Sequence, residues 1–202
     1  MSFSRTIAAM LSVFLLLAPS LSAQQPTSSA PAATPQWVQR SDQDAQVLLK
    51  VLARFNPEIA ARFGVPGIDE QVVDLQPGYL ERERQALRQA QTQLEGMLAD
   101  EKDPAVRQDL QIMIKRAKQQ ARESELEEKY ELLYVNLPQL VFLGMRGLLD
   151  EQIAPERRPA ALVRLRKYVG MEPGTTSIVQ LTEERYRERL KPGLMGRSKA
   201  RC

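Results

Sequence analysis

No histidine occurs anywhere in the 202 residues, and the single cysteine is the last one, Cys202. The first absence excludes every histidine-dependent nucleophile triad and the common zinc sites built from two histidines and a carboxylate. The second excludes an internal disulfide and a thiolate metal site. No glycine-rich phosphate loop and no Gly-x-Ser-x-Gly elbow is present. Aromatic residues make up only 5% of the chain, so a core must come mainly from Leu, Val, Ile, Ala and Met. Ser198-Lys199 has the residue types of Ser-Lys chemistry, but a loose tail does not hold the geometry such catalysis needs.

A strong charge of one sign is lacking too. The formal charge is +3, and Arg5 is the one charged residue before Ala23. The pI of about 9.1 reflects a small excess over closely balanced charges, which is weak support for an anionic partner. No aromatic ladder accompanies the basic residues, so the reading is no nucleic-acid partner.

What is present begins with an amino-terminal stretch that reads as an export signal. Arg5 charges a short first segment, residues 6–18 are uncharged and apolar, and Pro19 and small residues precede Gln24. The expectation is a signal peptide over residues 1–23, cleaved after Ala23, and a periplasmic or extracellular product. A retained signal anchor is the competing reading, but the apolar run is short for a span. Residues 24–36, QQPTSSAPAATPQ, predict a flexible linker because they hold no large apolar residue to offset ordering.

From Trp37 the hydrophobic period is helical throughout, and the predicted fold class is all-α. Ser41-Asp42 are expected to cap a helix that runs through Phe55, with Ala45, Leu48, Leu49 and Leu52 on one face. Pro57 starts a short helix and Gly64 ends it. A long antiparallel helical hairpin is predicted over residues 79–130. Leu80, Leu87 and Leu94 repeat every seven residues on its first arm, beside Ala90 and Met97. Val106, Leu110, Met113 and Ala117 alternate by four, three and four on its second arm. Asp103-Pro104 is a cap followed by proline at the first helical position. Glu125 and Lys129 form an i,i+4 pair worth about 0.3–0.5 kcal/mol.

Residues 132–149 are the most apolar stretch after the leader. Asn136, Pro138, Gln139 and Arg146 interrupt them, so they predict a core helix starting near Pro138 rather than a membrane span. Gly144 and Gly147 there admit a close neighbour. Residues 159–170 predict a helix with Leu162, Leu165 and Val169 inward. Thr175 or Thr176 is expected to cap a last helix reaching Leu190. No β alternation appears.

Candidate chemistry is thin. Glu81, Glu83, Glu123, Glu125, Glu127 and Glu128 lie among Arg, Lys and Gln on long helices, which reads as a solvated face rather than an acid/base pair. Arg157, Arg158, Arg164, Arg166 and Lys167 form a basic cluster. It could meet an anionic substrate, a carboxyl terminus or lipid headgroups, and the favoured reading is pairing with the acidic hairpin face. Trp37 and Tyr168 read as core-edge packing. No catalytic, cofactor-binding or metal residue is assigned.

The order of segments then matters. WVQRSDQDAQVLLKVLARFNPEIAARFGVPGIDEQVVDLQPG is followed by EKDPAVRQDLQIMI, YVNLPQLVFLGMRGLLD and ERRPAALVRLRKYVGMEPGTTSIVQL. This order resembles the amino-terminal part of the bacterial domain-of-unknown-function family number eight-eight-five, over residues 37–194. The resemblance implies a secreted, helical, zincin-like metallopeptidase family whose members are considerably longer. It implies a zinc signature, a His-Glu-x-x-His-like helix with a downstream Glu, lying beyond the region represented here, so no site residue carries over and no cofactor is expected in this chain. It also implies a truncation or frameshift, since the family pattern gives way after Leu194-Met195-Gly196 to Arg-Ser-Lys-Ala-Arg-Cys, within an irregular basic tail assigned to residues 195–202. Helices that form part of a larger wall would carry an apolar face and favour self-association. Two further readings stand beside this one: a standalone exported helical binding module, and a membrane-surface protein that uses the helix around residues 157–167.

Overall fold

A computed structural model describes residues 34–190. The expected leader over residues 1–23, most of the expected linker over 24–36, and the tail with Ser198, Lys199 and Cys202 lie outside the described residues. Among the described residues there are seven α-helices and one 3-10 turn, with no β-strand. The helices are α1 (Gln36–Phe55), α2 (Pro57–Arg62), α3 (Tyr79–Asp100), α4 (Pro104–Tyr130), α5 (Leu137–Leu149), α6 (Pro159–Val169) and α7 (Ile178–Arg189). The all-α reading holds. No described helix is long and apolar enough to cross a membrane.

The first half is a hairpin with a third helix laid on it. Leu87, Ala90 and Leu94 of α3 face Val106, Leu110, Ala117 and Ala121 of α4, and all are buried. α1 packs on both arms. Its Val47 and Leu48 meet the Leu94–Val106–Leu110 cluster. Leu94 and Leu110 are fully enclosed, and each contributes roughly 1.5–3 kcal/mol. The turn is closed by polar groups. The Asp103 carboxylate accepts from the Ala105 amide at 2.9 Å, with Pro104 at the first helical position. Arg107 donates to the Leu98 and Glu101 carbonyls at 2.8 and 2.7 Å, which satisfies the end of α3. Arg40 crosses from α1 to Glu101 at 3.3 Å and Asp103 at 2.7 Å.

The second half stacks α2 on α5, α5 on α6, and α6 on α7. The segment between α2 and α3 threads into this stack. Its Leu75 joins Tyr168, Ile178 and Leu181 in a second core, with Val72, Val73 and Val141 packed around them. Arg189 of α7 donates to the carbonyls of Glu127, Glu128 and Glu131 at 2.8–3.0 Å, and so ties this half to the end of the hairpin.

Several local expectations are corrected. α1 begins at Gln36, and Ser41 is buried inside it rather than capping it. The Pro35 carbonyl accepts from the amides of Val38 and Gln39, so the first turn closes without a side-chain cap. α7 is capped by Ser177, whose hydroxyl accepts from the Gln180 amide at 3.2 Å. Thr175 instead donates its hydroxyl to the Glu172 carbonyl at 2.6 Å and shapes the preceding turn. Glu125 pairs with Arg122 and Arg88, while Lys129 lies over the Tyr130 ring at 5.0 Å.

The largest correction concerns α6. Leu162, Leu165 and Val169 face outward, 55%, 40% and 49% exposed. Ala161, Arg164 and Tyr168 face inward instead. Both sets recur at i, i+3 or i+4, and i+7, so helical period allows either face. The polar partners described next decide it.

Candidate functional site

Arg164 and Tyr168 stand one turn apart on the inner face of α6. Arg164 is fully buried. Its Nε donates to the Gln71 carbonyl at 3.0 Å, Nη1 to Gly144 at 3.1 Å and Nη2 to Ile68 at 3.0 Å. One planar guanidinium thereby joins α6, α5 and the α2–α3 segment. Its stiff fork of donors suits several acceptors held at once. Removing a buried group of this kind leaves its carbonyls unpaired, at about 1–3 kcal/mol each.

The Tyr168 hydroxyl donates to Glu58 Oε1 at 2.9 Å, and the Val73 amide donates to the same oxygen at 3.0 Å. Glu58 lies on α2, 6% exposed. Gly144 makes this possible. A Cβ there would sit 2.2 Å from the Tyr168 hydroxyl and 3.0 Å from Glu58 Cγ. The close approach expected from Gly144 is therefore real, and a tyrosine occupies it. Burial, followed by the Glu58 charge, pushes the Tyr168 phenol far above its ordinary value. It stays protonated and donates to Glu58.

The expected basic cluster does not act as one surface. Arg157 makes a bidentate pair with Asp69 at 2.7 and 2.8 Å and donates to the Ala61 carbonyl at 3.1 Å. The Arg157 hydrogen bond holds the Asp69 carboxyl below its ordinary range, against the opposing effect of burial. Arg164 is internal, while Arg158 and Arg166 are exposed and Lys167 is half-buried. The favoured pairing of this cluster with the hairpin acids is thus corrected. Those acids are met by arginines of the hairpin itself. The buried Arg84 pairs with Glu81 at 2.7 Å and Glu128 at 2.5 Å, and Arg116 approaches Glu123 at 3.8 Å. Arg88 pairs with Glu125. Glu83 is bonded by Asn56 at 3.4 Å, and burial raises its pKa. Glu127 lies near the Arg189 contact and also has partners. The solvated-face reading holds for most of these acids, with the Arg84 bridge as its exception.

Trp37 is 40% exposed near the start of α1, and Tyr168 is a core residue rather than an edge one. Glu58 escaped sequence reasoning, because a lone glutamate after Pro57 carries no signal. The alternate stripe Ala161, Arg164, Tyr168 was visible, but leucines outrank it on hydropathy.

The chemistry of this node is structural. Every polar atom that approaches Glu58 Oε1 already belongs to the fold. The cleft of about 250 Å³ between α2 and the end of α5 is lined by Arg62, Leu143, Arg146, Asp150 and Ile153, not by the node. Among the described residues, no three His, Cys, Asp or Glu side chains converge as a metal site. The described side chains do not fit a zinc centre.

The family model whose description is "Bacterial protein of unknown function (DUF885)" matches residues 57–200. The chain belongs to this family. The matched span takes in α2 through α7, and hence Glu58, Arg157, Arg164 and Tyr168 together. No curated protein and no solved structure matches the chain.

Proposed function

We propose that this chain is an exported, non-catalytic helical portion of a zincin-like metallopeptidase fold. Membership of the family supports the reading. So does the resemblance of its segment order to the amino-terminal part of such proteins. The observation that carries the non-catalytic half is the donor inventory. There is no histidine in the sequence, and among the described residues no three His, Cys, Asp or Glu side chains gather at one point. A zincin needs two imidazoles and a carboxylate on zinc, with a further carboxylate as general base. Here the arginine–tyrosine–glutamate node would serve as internal bracing for that wall of helices. Export rests on residues 1–23 alone.

The test is to purify the chain, dialyse it against zinc and measure bound metal and hydrolysis of an unstructured peptide pool. The expected outcome is no stoichiometric zinc and no turnover above buffer. One equivalent of tightly held zinc with chelator-sensitive peptide cleavage would sink the proposal.

A further inference from the structure

The two ends of α7 are held in different ways, and its middle is incompletely satisfied. Ile178 and Leu181 are buried with Leu75 and Tyr168. The third side chain that α7 buries is Arg185. Its ion pairs are with Glu184 at 3.5 Å and Glu188 at 2.6 Å, both on α7 itself, so they would travel with the helix. Its bond to the Leu75 carbonyl is long, at 3.4 Å. Among the described residues, Arg185 Nε and the Thr182 hydroxyl are buried without a hydrogen-bond partner. The near end is closed tightly: a Cβ at Gly170 would lie 2.8 Å from the Ser177 amide nitrogen. The far end is not. Two hollows of about 90 Å³ each lie there, both lined by Tyr79, Leu80 and Arg189. Arg189 spans this seam to the carbonyls of Glu127, Glu128 and Glu131, and two of those three bonds are exposed to competing water.

We infer that α7 is a releasable strap, anchored at Ser177 and clasped by Arg189, that opens as one unit while the hairpin stays folded. Interiors are normally filled to close packing, and the hollow seam beneath the last turn of α7 lacks that contribution. The unpartnered Thr182 hydroxyl and Arg185 Nε weigh against the closed state, because water satisfies both once the helix lifts. Elements with few buried apolar side chains and exposed hydrogen bonds open below the cost of global unfolding. The hairpin is the opposite case, with Leu94, Val106 and Leu110 completely enclosed. Release of α7 removes Ile178 and Leu181 from the second core and uncovers Leu75 and Tyr168. The strap thereby governs access to that core. The inference needs only the contacts of α7 and stands independently of the peptidase-fold proposal.

The experiment is native-state hydrogen exchange on the full chain, read amide by amide. The α7 amides from Leu181 to Arg189 should share one protection level, about tenfold or more below that of Leu110 and Ile114 on α4. Ala117→Gly, buried in the hairpin, separates local from global opening. It should lower protection of Leu110 and Ile114 about fivefold and leave α7 unchanged. Arg189→Gln should lower α7 protection about tenfold, and Thr182→Val should raise it about fivefold by removing the unpartnered hydroxyl. Three results overturn the inference. One is equal protection of α7 and the hairpin. Another is an Ala117→Gly variant that loses protection equally in both, which would mean that α7 opens only with the whole molecule. The third is protection that falls steadily toward Arg189 and ignores both α7 variants, which is fraying from the end rather than release of a strap.

Discussion

Gly144 and Tyr168 show how little room one residue can have. The two occupy the same space to within a methyl group: a Cβ at position 144 lies 2.2 Å from the tyrosine hydroxyl. Gly144→Ala must displace the hydroxyl, break its 2.9 Å bond to Glu58, or push α5 away from α6. The expected loss is about 1–3 kcal/mol, as for other overpacked cores. Tyr168→Phe alone should cost a comparable amount, because Glu58 loses a donor while buried. Combined, the two losses should fall short of their sum, since the phenylalanine has no hydroxyl to collide. Relief stays partial, because the ring carbon at 3.3 Å and Glu58 Cγ at 3.0 Å remain close. Urea melts of the four proteins read this coupling directly. Strict additivity would mean that the contact is not the seat of the strain.

At the scale of the element, α6 reverses the rule that leucines mark the inside. Hydrophobic burial has no direction, so a leucine ridge on a helix in the second half could be left out where other side chains fill the core. Hydrogen bonding is directional. Arg164 finds three carbonyls on one side only, and Tyr168 finds Glu58 and the gap at Gly144 on the same side. The prediction is a contrast between two leucines. Leu162→Ser should change stability by less than about 0.5 kcal/mol, as surface changes do. Leu148→Ala, at a fully buried site on α5, should cost about 2–5 kcal/mol. Thermal or urea unfolding distinguishes them, and a large loss at Leu162 would place the ridge in a packed interior.

Across the molecule, two carboxylates should tilt stability with pH in opposite directions. Asp69 is held below its ordinary value of 3.8 by the Arg157 hydrogen bond. Its contribution is complete above that ordinary value and is lost as pH falls through the lowered one. Asp69→Asn should therefore destabilise at neutral pH, with the difference vanishing in strong acid. Glu83 is raised above its ordinary 4.5 by burial. Its contribution is complete below 4.5 and lost as pH rises through the raised value. Glu83→Gln should accordingly stabilise at neutral pH and match the parent in acid. Paired unfolding curves at neutral and acid pH test both signs. A common direction for the two variants would show that the Arg157 pair and the α3 burial do not act as described.

Local patterns were enough for the helical class and for the hairpin from Tyr79 to Tyr130. A seven-residue leucine repeat, proline at a first helical position and an aspartate cap act within a turn or two, so they are written in the sequence by itself. The lack of histidine belongs there too. Tertiary structure alone decided which face of α6 is inside, where the cations of residues 157–167 go, and that Glu58 matters. Those outcomes join residues 88 and 110 positions apart, as in Arg157–Asp69 and Tyr168–Glu58. Neither period nor composition reports such distant partners. Helical spacing permits two faces, and only the geometry of the carbonyls and the gap at Gly144 selects between them.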